Sequence, residues 1–144
     1  MISIRKIGKE DLPELNGLYE ELTGHKSNEA KLVSVFESHE DNDNYILLGA
    51  FQDDILAGSL MGIICQDFVG ECKSFMVIEN VVVASRFRRQ GVGRVLMQEI
   101  ERAARERDCT YIIFVSGGQR TEAHKFYEEL GYREENVMGF RKHF

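Results

Sequence analysis

Arg88, Arg89 and Arg94 surround Gly91 and Gly93 in the stretch Arg88-Arg89-Gln90-Gly91-Val92-Gly93-Arg94. Before it, Phe75 to Val83 reads as a strand; after it, Val95 to Arg107 reads as an amphipathic helix. A glycine-bearing turn at a helix start leaves backbone N–H groups without acceptors, and the helix dipole favours negative charge there. Glycine removes the Cβ atoms that would hold a phosphate away. Arginines add charge and forked donors. The chemistry is that of a pyrophosphate cradle, set against the plainer reading of a basic patch at an exposed turn. A P-loop is excluded, because Gly93 is followed by Arg94 and Val95 rather than Lys and Ser or Thr. A dinucleotide fingerprint fits poorly, since Leu96 stands where its third glycine belongs. Three other polar side chains lie close in sequence to this machinery. Glu79 has the plain reading of a solvent-facing strand carboxylate, Tyr127 that of a helix tyrosine packed with Phe126, and His124 that of a polar residue at a helix edge. His25, His39 and His143 carry no supporting pattern.

The elements that must position these residues follow from pattern. Ile2 to Ile7 alternates as a first strand. Lys9 to Leu22 places Leu12, Leu15, Leu18, Tyr19 and Leu22 on one helical face, with Pro13 in its first turn. Ser27 is expected to cap a second helix carrying Leu32, Val33, Val35 and Phe36. Tyr45 to Phe51 and Ile55 to Cys65 form a hairpin across Gln52-Asp53-Asp54. A long strand runs from Ser74 to Ala84. The helix after the cradle faces Val92, Leu96, Ile100 and Ala103 inward. Tyr111 to Val115 reads as a short buried strand, and Arg120 to Leu130 as a helix with Ala123, Phe126, Tyr127 and Leu130 inward and Gly131 at its end. Val137 to His143 reads as a closing strand. The order βααβββαβαβ predicts an α/β (α+β) fold: a mixed sheet with helices on both faces.

Composition bounds the rest. With 144 residues, 43% hydrophobic and 29% charged, the chain is expected to be one globular domain, residues 1–144. No apolar run approaches the ~20 residues that span a membrane, and the N-terminus lacks a signal-peptide core. Cys65, Cys72 and Cys109 are odd in number and lack metal spacing, so reduced thiols in a cytoplasmic protein are expected. A net charge of −6 argues against nucleic-acid binding and suits a cationic amine.

The order Arg88-x-x-Gly91-x-Gly93 resembles the acetyl-CoA signature of the GCN5-related N-acetyltransferases (GNAT). Ile78-Glu79-Asn80-Val81-Val82-Val83 is similar to that family's fourth strand, and Ala123-His124-Lys125-Phe126-Tyr127-Glu128-Glu129-Leu130-Gly131-Tyr132 to its last helix and following turn. The resemblance spans most of the chain and is sharp from Glu79 to Tyr132. It implies acetyl-CoA as co-substrate, bound without a metal. It implies that main-chain groups of Val81, Val82 and Val83 pair with the pantetheine arm, while Arg88, Arg89, Gln90, Gly91, Val92, Gly93 and Arg94 hold the pyrophosphate. It implies Tyr127 as general acid to the departing CoA thiolate, and Glu79 as general base for the ammonium or, instead, as its binding carboxylate. The ring of His124, three residues before Tyr127, suits proton traffic. Arg120 departs from the asparagine many relatives carry and can reach a CoA phosphate or the substrate; Ser116 to Gln119 adjoin it and can line the cleft.

The expected function is therefore acetyl transfer to a primary amine of a small molecule, directly within a ternary complex. No cysteine has the Cys/His arrangement of a covalent route. Three alternatives stand beside it: acetylation of an amino-sugar phosphate, as in glucosamine-phosphate N-acetyltransferases, acetylation of a protein N-terminus or lysine, and a non-catalytic acyl-CoA-binding module. The acceptor is expected to be set by residues 23–43 and 67–73. The resemblance allows a homodimer, with no interface legible in the sequence.

Overall fold

The computed structural model describes residues 1–116, 120–133 and 135–144. Its backbone forms two compact units, residues 1–113 and 114–144. The first holds a five-stranded sheet in the order β1-β2-β3-β4-β5, built from β1 (Ile2–Lys6), β2 (Tyr45–Gln52), β3 (Ile55–Cys65), β4 (Phe75–Val83) and β5 (Ile112–Ile113). The first three pairings are antiparallel and β4–β5 is parallel, which makes the sheet mixed. Helices α1 (Leu12–Thr23), α2 (Glu29–His39) and α3 (Val92–Glu106) complete this unit.

Alternation along β2 sorts the two faces. Leu47 and Phe51 join Leu12, Leu15 and Leu18 of α1 in one apolar cluster. Ile46 and Leu48 face the other way, lining a groove with Glu99, Arg102 and Ala103 of α3. Side chains one residue apart on a strand point to opposite faces, so α1 and α3 cover opposite faces of the sheet. The β2–β3 turn has Asp53 at φ 51° and Asp54 at φ 64°. Two consecutive left-handed residues make the type I′ geometry whose twist matches a two-residue hairpin, and Asp tolerates it.

Four local expectations need correction. The first helix opens with a separate 3-10 turn, Lys9–Asp11, before α1 begins. There Asp11 accepts from Gly8 N–H at 2.8 Å and from Arg5 at 2.6 and 3.1 Å, which holds its carboxyl below the ordinary range. The cap of α2 is Asn28, whose side chain accepts from Lys31 N–H at 3.0 Å. Ser27 is otherwise engaged: Asn16, buried on α1, takes its N–H at 2.7 Å and donates to its carbonyl at 3.1 Å. The strand at Tyr111 to Val115 shrinks to Ile112–Ile113, with Tyr111 48% and Ile113 47% exposed. Among the described residues its one ladder runs against Met76 and Val77, so it is an edge rather than a buried strand. Residues 137–143 form no strand, and Val137 and Phe140 are 75% and 87% exposed. Adjacent Val137 and Met138, Gly139 and the basic run 141–143 break the alternation a one-faced strand requires.

In the second unit, α4 (Thr121–Glu129) ends with Gly131 at φ 93°, whose N–H bonds the carbonyl of Glu128 at 3.0 Å. Among the described residues, no helix is long and apolar enough to cross a membrane, and no group of three His, Cys, Asp or Glu is placed to hold a metal ion.

Candidate active site

Strand β4 carries the first part of the site. Its ladder with β3 shifts register: Ser59 faces Val82 and Met61 faces Glu79, so Asn80 and Val81 together oppose Leu60. This is a β-bulge, and Asn80 takes it up with φ 58°. Strict alternation would send Asn80 to the buried side between Ile78 and Val82. The left-handed residue leaves both Glu79 and Asn80 exposed, while Ile78 and Val82 stay buried. Asparagine is among the few side chains that adopt this conformation cheaply. On its other edge, β4 pairs with β5 only at Met76 and Val77. From Ile78 to Val83 that edge has no strand partner among the described residues. A strand that loses its neighbour leaves main-chain donors and acceptors for a ligand to pair with.

The chain then turns into the cradle. Ala84 N–H bonds the carbonyl of Ala57 at 2.8 Å, and a 3-10 turn follows at Ser85–Phe87. Arg88 is extended, Arg89 has φ 65° and Gly91 has φ 85°. Helix α3 starts at Val92, and its first backbone bond runs from Val95 N–H to Gly91 O at 3.1 Å. The N–H groups of Val92, Gly93 and Arg94 therefore have no acceptor within the helix. Helix α2 satisfies this need with Asn28. Helix α3 has no side-chain cap and no acidic residue in its first turn. Its N-terminal dipole is answered by nothing on the helix, while Arg88, Arg89, Gln90 and Arg94 stand exposed around it.

Gly58 is what lets α3 sit this close to the sheet. A Cβ there would lie 2.9 Å from Val82 O, 2.9 Å from Val92 Cγ1 and 3.2 Å from Leu96 Cδ1. Gly58→Ala is expected to cost about 1–3 kcal/mol of stability, because backbone and a buried helix start must both move. Denaturant unfolding of the two proteins reads the difference directly; equal midpoints would show that the helix start has room to spare.

The second unit carries the remaining candidates. Tyr127 is buried against Phe114 at 4.6 Å between ring centroids, Phe126 at 5.3 Å and Tyr132 at 6.4 Å. Burial pushes its phenol above the ordinary value, partly opposed by the Arg120 charge. Arg120 is exposed at the start of α4, and His124 is half-buried one turn on. Ser116 Oγ is enclosed and has no hydrogen-bond partner among the described residues. Gly117, Gly118 and Gln119, named with it above, lie outside the described residues.

Glu79, the three valines and the cradle thus follow one another along β4, the turn and α3 within the first unit; Tyr127, His124, Arg120 and Ser116 belong to the second. Asn80, Gly58 and Glu21 were not singled out from sequence. Asn80 had a readable signal, an asparagine within Val-Ile-Glu-Asn-Val-Val-Val at a position that alternation would bury. Glu21 had none, since its partner Ser85 is 64 residues away. The groove of about 660 Å³ beside Arg5, Lys6, Glu99, Arg102, Glu106 and Arg107 is not this site. Arg102 is bonded there to both Glu99 and Glu106.

Comparison with known proteins gives the family. The family model of the acetyltransferase (GNAT) family matches residues 10–132. The aminoglycoside N(6')-acetyltransferase type 1 of Salmonella enteritidis is 26% identical, over 98% of this chain and 99% of that protein. Among solved structures, a putative acetyltransferase from Agrobacterium tumefaciens str. C58 superposes with TM-score 0.91 at 24% identity, covering 99% of each chain. AAC(6')-Iy in complex with the bisubstrate analogue CoA-S-monomethyl-acetylneamine superposes with TM-score 0.80 at 25% identity, covering 100% of this chain and 99% of that one. A mixed sheet whose fourth strand leads through a Gly-x-Gly turn into an uncapped helix, matched across residues 10–132, places this chain in the acetyltransferase (GNAT) family as an N-acetyltransferase.

Proposed function

We propose that the protein moves the acetyl group of acetyl-CoA directly onto a primary amine of a small, cationic acceptor of the amino-sugar class. The observation that carries this reading is the start of α3, uncapped, without acidic residues in its first turn, and preceded by Gly91 in the left-handed region. Backbone N–H groups from Gln90 to Arg94 receive the pyrophosphate there, with Arg88, Arg89 and Arg94 adding charge. Arg120 reaches a CoA phosphate in place of the usual asparagine contact. The β4 edge from Val81 to Val83 pairs with the pantetheine amides, an assignment supported by the loss of β5 after Val77. The acceptor class is supported by the aminoglycoside N(6')-acetyltransferase relative and by a net charge of −6, which attracts polycations. The 144 residues act as one N-acetyltransferase domain, since the family match runs through both compact units. The unpaired cysteines suit the cytoplasm.

The chemistry needs three proton movements, two off the nitrogen and one onto the sulfur. The acceptor is an ammonium at neutral pH and must lose a proton before its nitrogen can attack; Glu79, exposed on β4, takes it directly or through water. The amine nitrogen bonds to the acetyl carbon, the C–S bond breaks, Tyr127 gives its phenol proton to the departing sulfur, and the nitrogen, cationic after the attack, gives up its second proton to water. The raised phenol pKa keeps that proton in place at neutral pH. Products are the N-acetyl amine and the free CoA thiol, with Tyr127 reprotonated from solvent. The test is thermal unfolding with acetyl-CoA followed by thiol release against an amine panel that includes neamine. Saturating acetyl-CoA is expected to raise Tm, and neamine to release thiol well above the amine-free rate. A Tm rise without thiol release on any amine would leave an acyl-CoA-binding module, and no Tm rise would overturn the reading altogether.

A further inference from the structure

Glu21 lies in the last turn of α1, where a carboxylate opposes the helix dipole and no basic residue offsets it. Its Oε1 accepts a hydrogen bond at 2.9 Å from the backbone N–H of Ser85, the first residue of the turn between β4 and the cradle. Two short bonds hold the beginning of that turn: this one to α1, and the one from Ala84 N–H to Ala57 O at 2.8 Å. Within the turn, Phe87 N–H bonds Ala84 O at 2.9 Å, and longer contacts follow: Arg88 N–H to Ser85 O at 3.4 Å, Arg88 Nε to Val83 O at 3.4 Å and Gln90 Nε2 to Arg86 O at 3.3 Å. The tie of Ser85 to α1 therefore sets where this turn sits against the rest of its unit, and a hydrogen bond to a charged acceptor is the stronger kind of tie.

We infer that Glu21 is a positioning residue for the acyl-CoA cradle: its bond to Ser85 N–H sets the exit of the chain from β4, and so the aim of the amides at the start of α3. This rests on the reading of that cradle as the CoA site. Helix α1 also leads directly into residues 24–28, so the same side chain joins the segment expected to shape the acceptor side to the segment that holds CoA.

Three variants test it. Glu21→Ala removes the acceptor. Glu21→Gln keeps a neutral oxygen at the same reach. Ser85→Pro removes the donor at a first-turn position preceded by Ala84 at φ −55° and ψ 139°, a conformation proline tolerates before it. In thiol-release kinetics, Glu21→Ala and Ser85→Pro are each expected to raise KM for acetyl-CoA about fivefold. Both should leave kcat and the amine KM within about twofold. Glu21→Gln should recover most of the loss. The double variant should be no worse than either single one, because both remove the same bond. A merely structural role would lower Tm without this KM split or the non-additivity. Unchanged acetyl-CoA KM in Glu21→Ala, or additive effects in the double variant, would overturn the assignment. Should one variant fail to fold, the others decide the same question by the same readout. Wild-type protein that shows no affinity for acetyl-CoA would remove the underlying reading, and the inference with it.

Discussion

Tyr127→Phe is expected to lower kcat for CoA thiol release by about a hundredfold, with little change in KM for acetyl-CoA. The phenol is buried among Phe114, Phe126 and Tyr132, and those contacts are made by the ring. Phenylalanine keeps the ring and removes only the hydroxyl, so the variant should fold and bind CoA. The lost proton donor then acts on the chemical step alone, which lowers kcat and kcat/KM together. The pH profile gives a second reading. An acid must be protonated to act, and burial raises the pKa of Tyr127 above its ordinary ~10. The alkaline loss of activity due to this group should therefore have its midpoint above that value, and should be absent from the Phe variant. Stopped-flow thiol detection between neutral and strongly alkaline pH measures both. An unchanged kcat in Tyr127→Phe would remove the tyrosine from the mechanism.

Gly91→Val should raise the dissociation constant for acetyl-CoA about thirtyfold, with a much smaller effect on amine binding. Gly91 holds φ 85° at the N-cap of α3. A β-branched residue there is strained by about 2 kcal/mol. Nothing lies within 4 Å of where a Cβ at Gly91 would be, so the free protein can relax its backbone toward negative φ without a clash. Binding must then restore the left-handed geometry and meet that cost, which corresponds to the thirtyfold loss. Gly91→Asn separates conformation from bulk, since asparagine visits the left-handed region readily; its loss should be only a few-fold. Calorimetric titration of the three proteins with acetyl-CoA decides this. Equal weakening by Val and Asn would mean that the side chain, not the φ angle, obstructs the ligand.

What was legible in the sequence is what local rules determine. Asp53-Asp54 announced a hairpin because few residues accept two positive φ angles in a row. The apolar spacing of Val92, Leu96 and Ile100 placed α3, and the same pattern led past Met97 and Ala104, which are buried as well. The turn into α3 was readable because Gly91 at a helix start signals a left-handed residue. What escaped depended on partners distant in the chain. Ser27 has the composition of a cap, yet its main chain is spoken for by Asn16, and the neighbouring Asn28 caps instead. Asn80 looks like an ordinary strand residue until the register of β3 shows two residues opposing one. The strand expected at Tyr111 to Val115 has the right composition for burial, but burial is a property of the neighbours it meets, and among the described residues its ladder pairs just Ile112 and Ile113 with β4. A carboxylate such as Glu21 carries no sign of its use without the fold that brings Ser85 to it.

We propose that the uncapped start of α3 and the open edge of β4 form the CoA site. Titration of CoA into uniformly ¹⁵N-labelled protein, followed by amide chemical shifts, tests it most directly. The largest shifts are expected at the amides of Gln90, Gly91, Val92, Gly93 and Arg94, with a second group at Val81 to Val83. Saturable binding that leaves those amides unmoved and perturbs residues elsewhere would contradict the account.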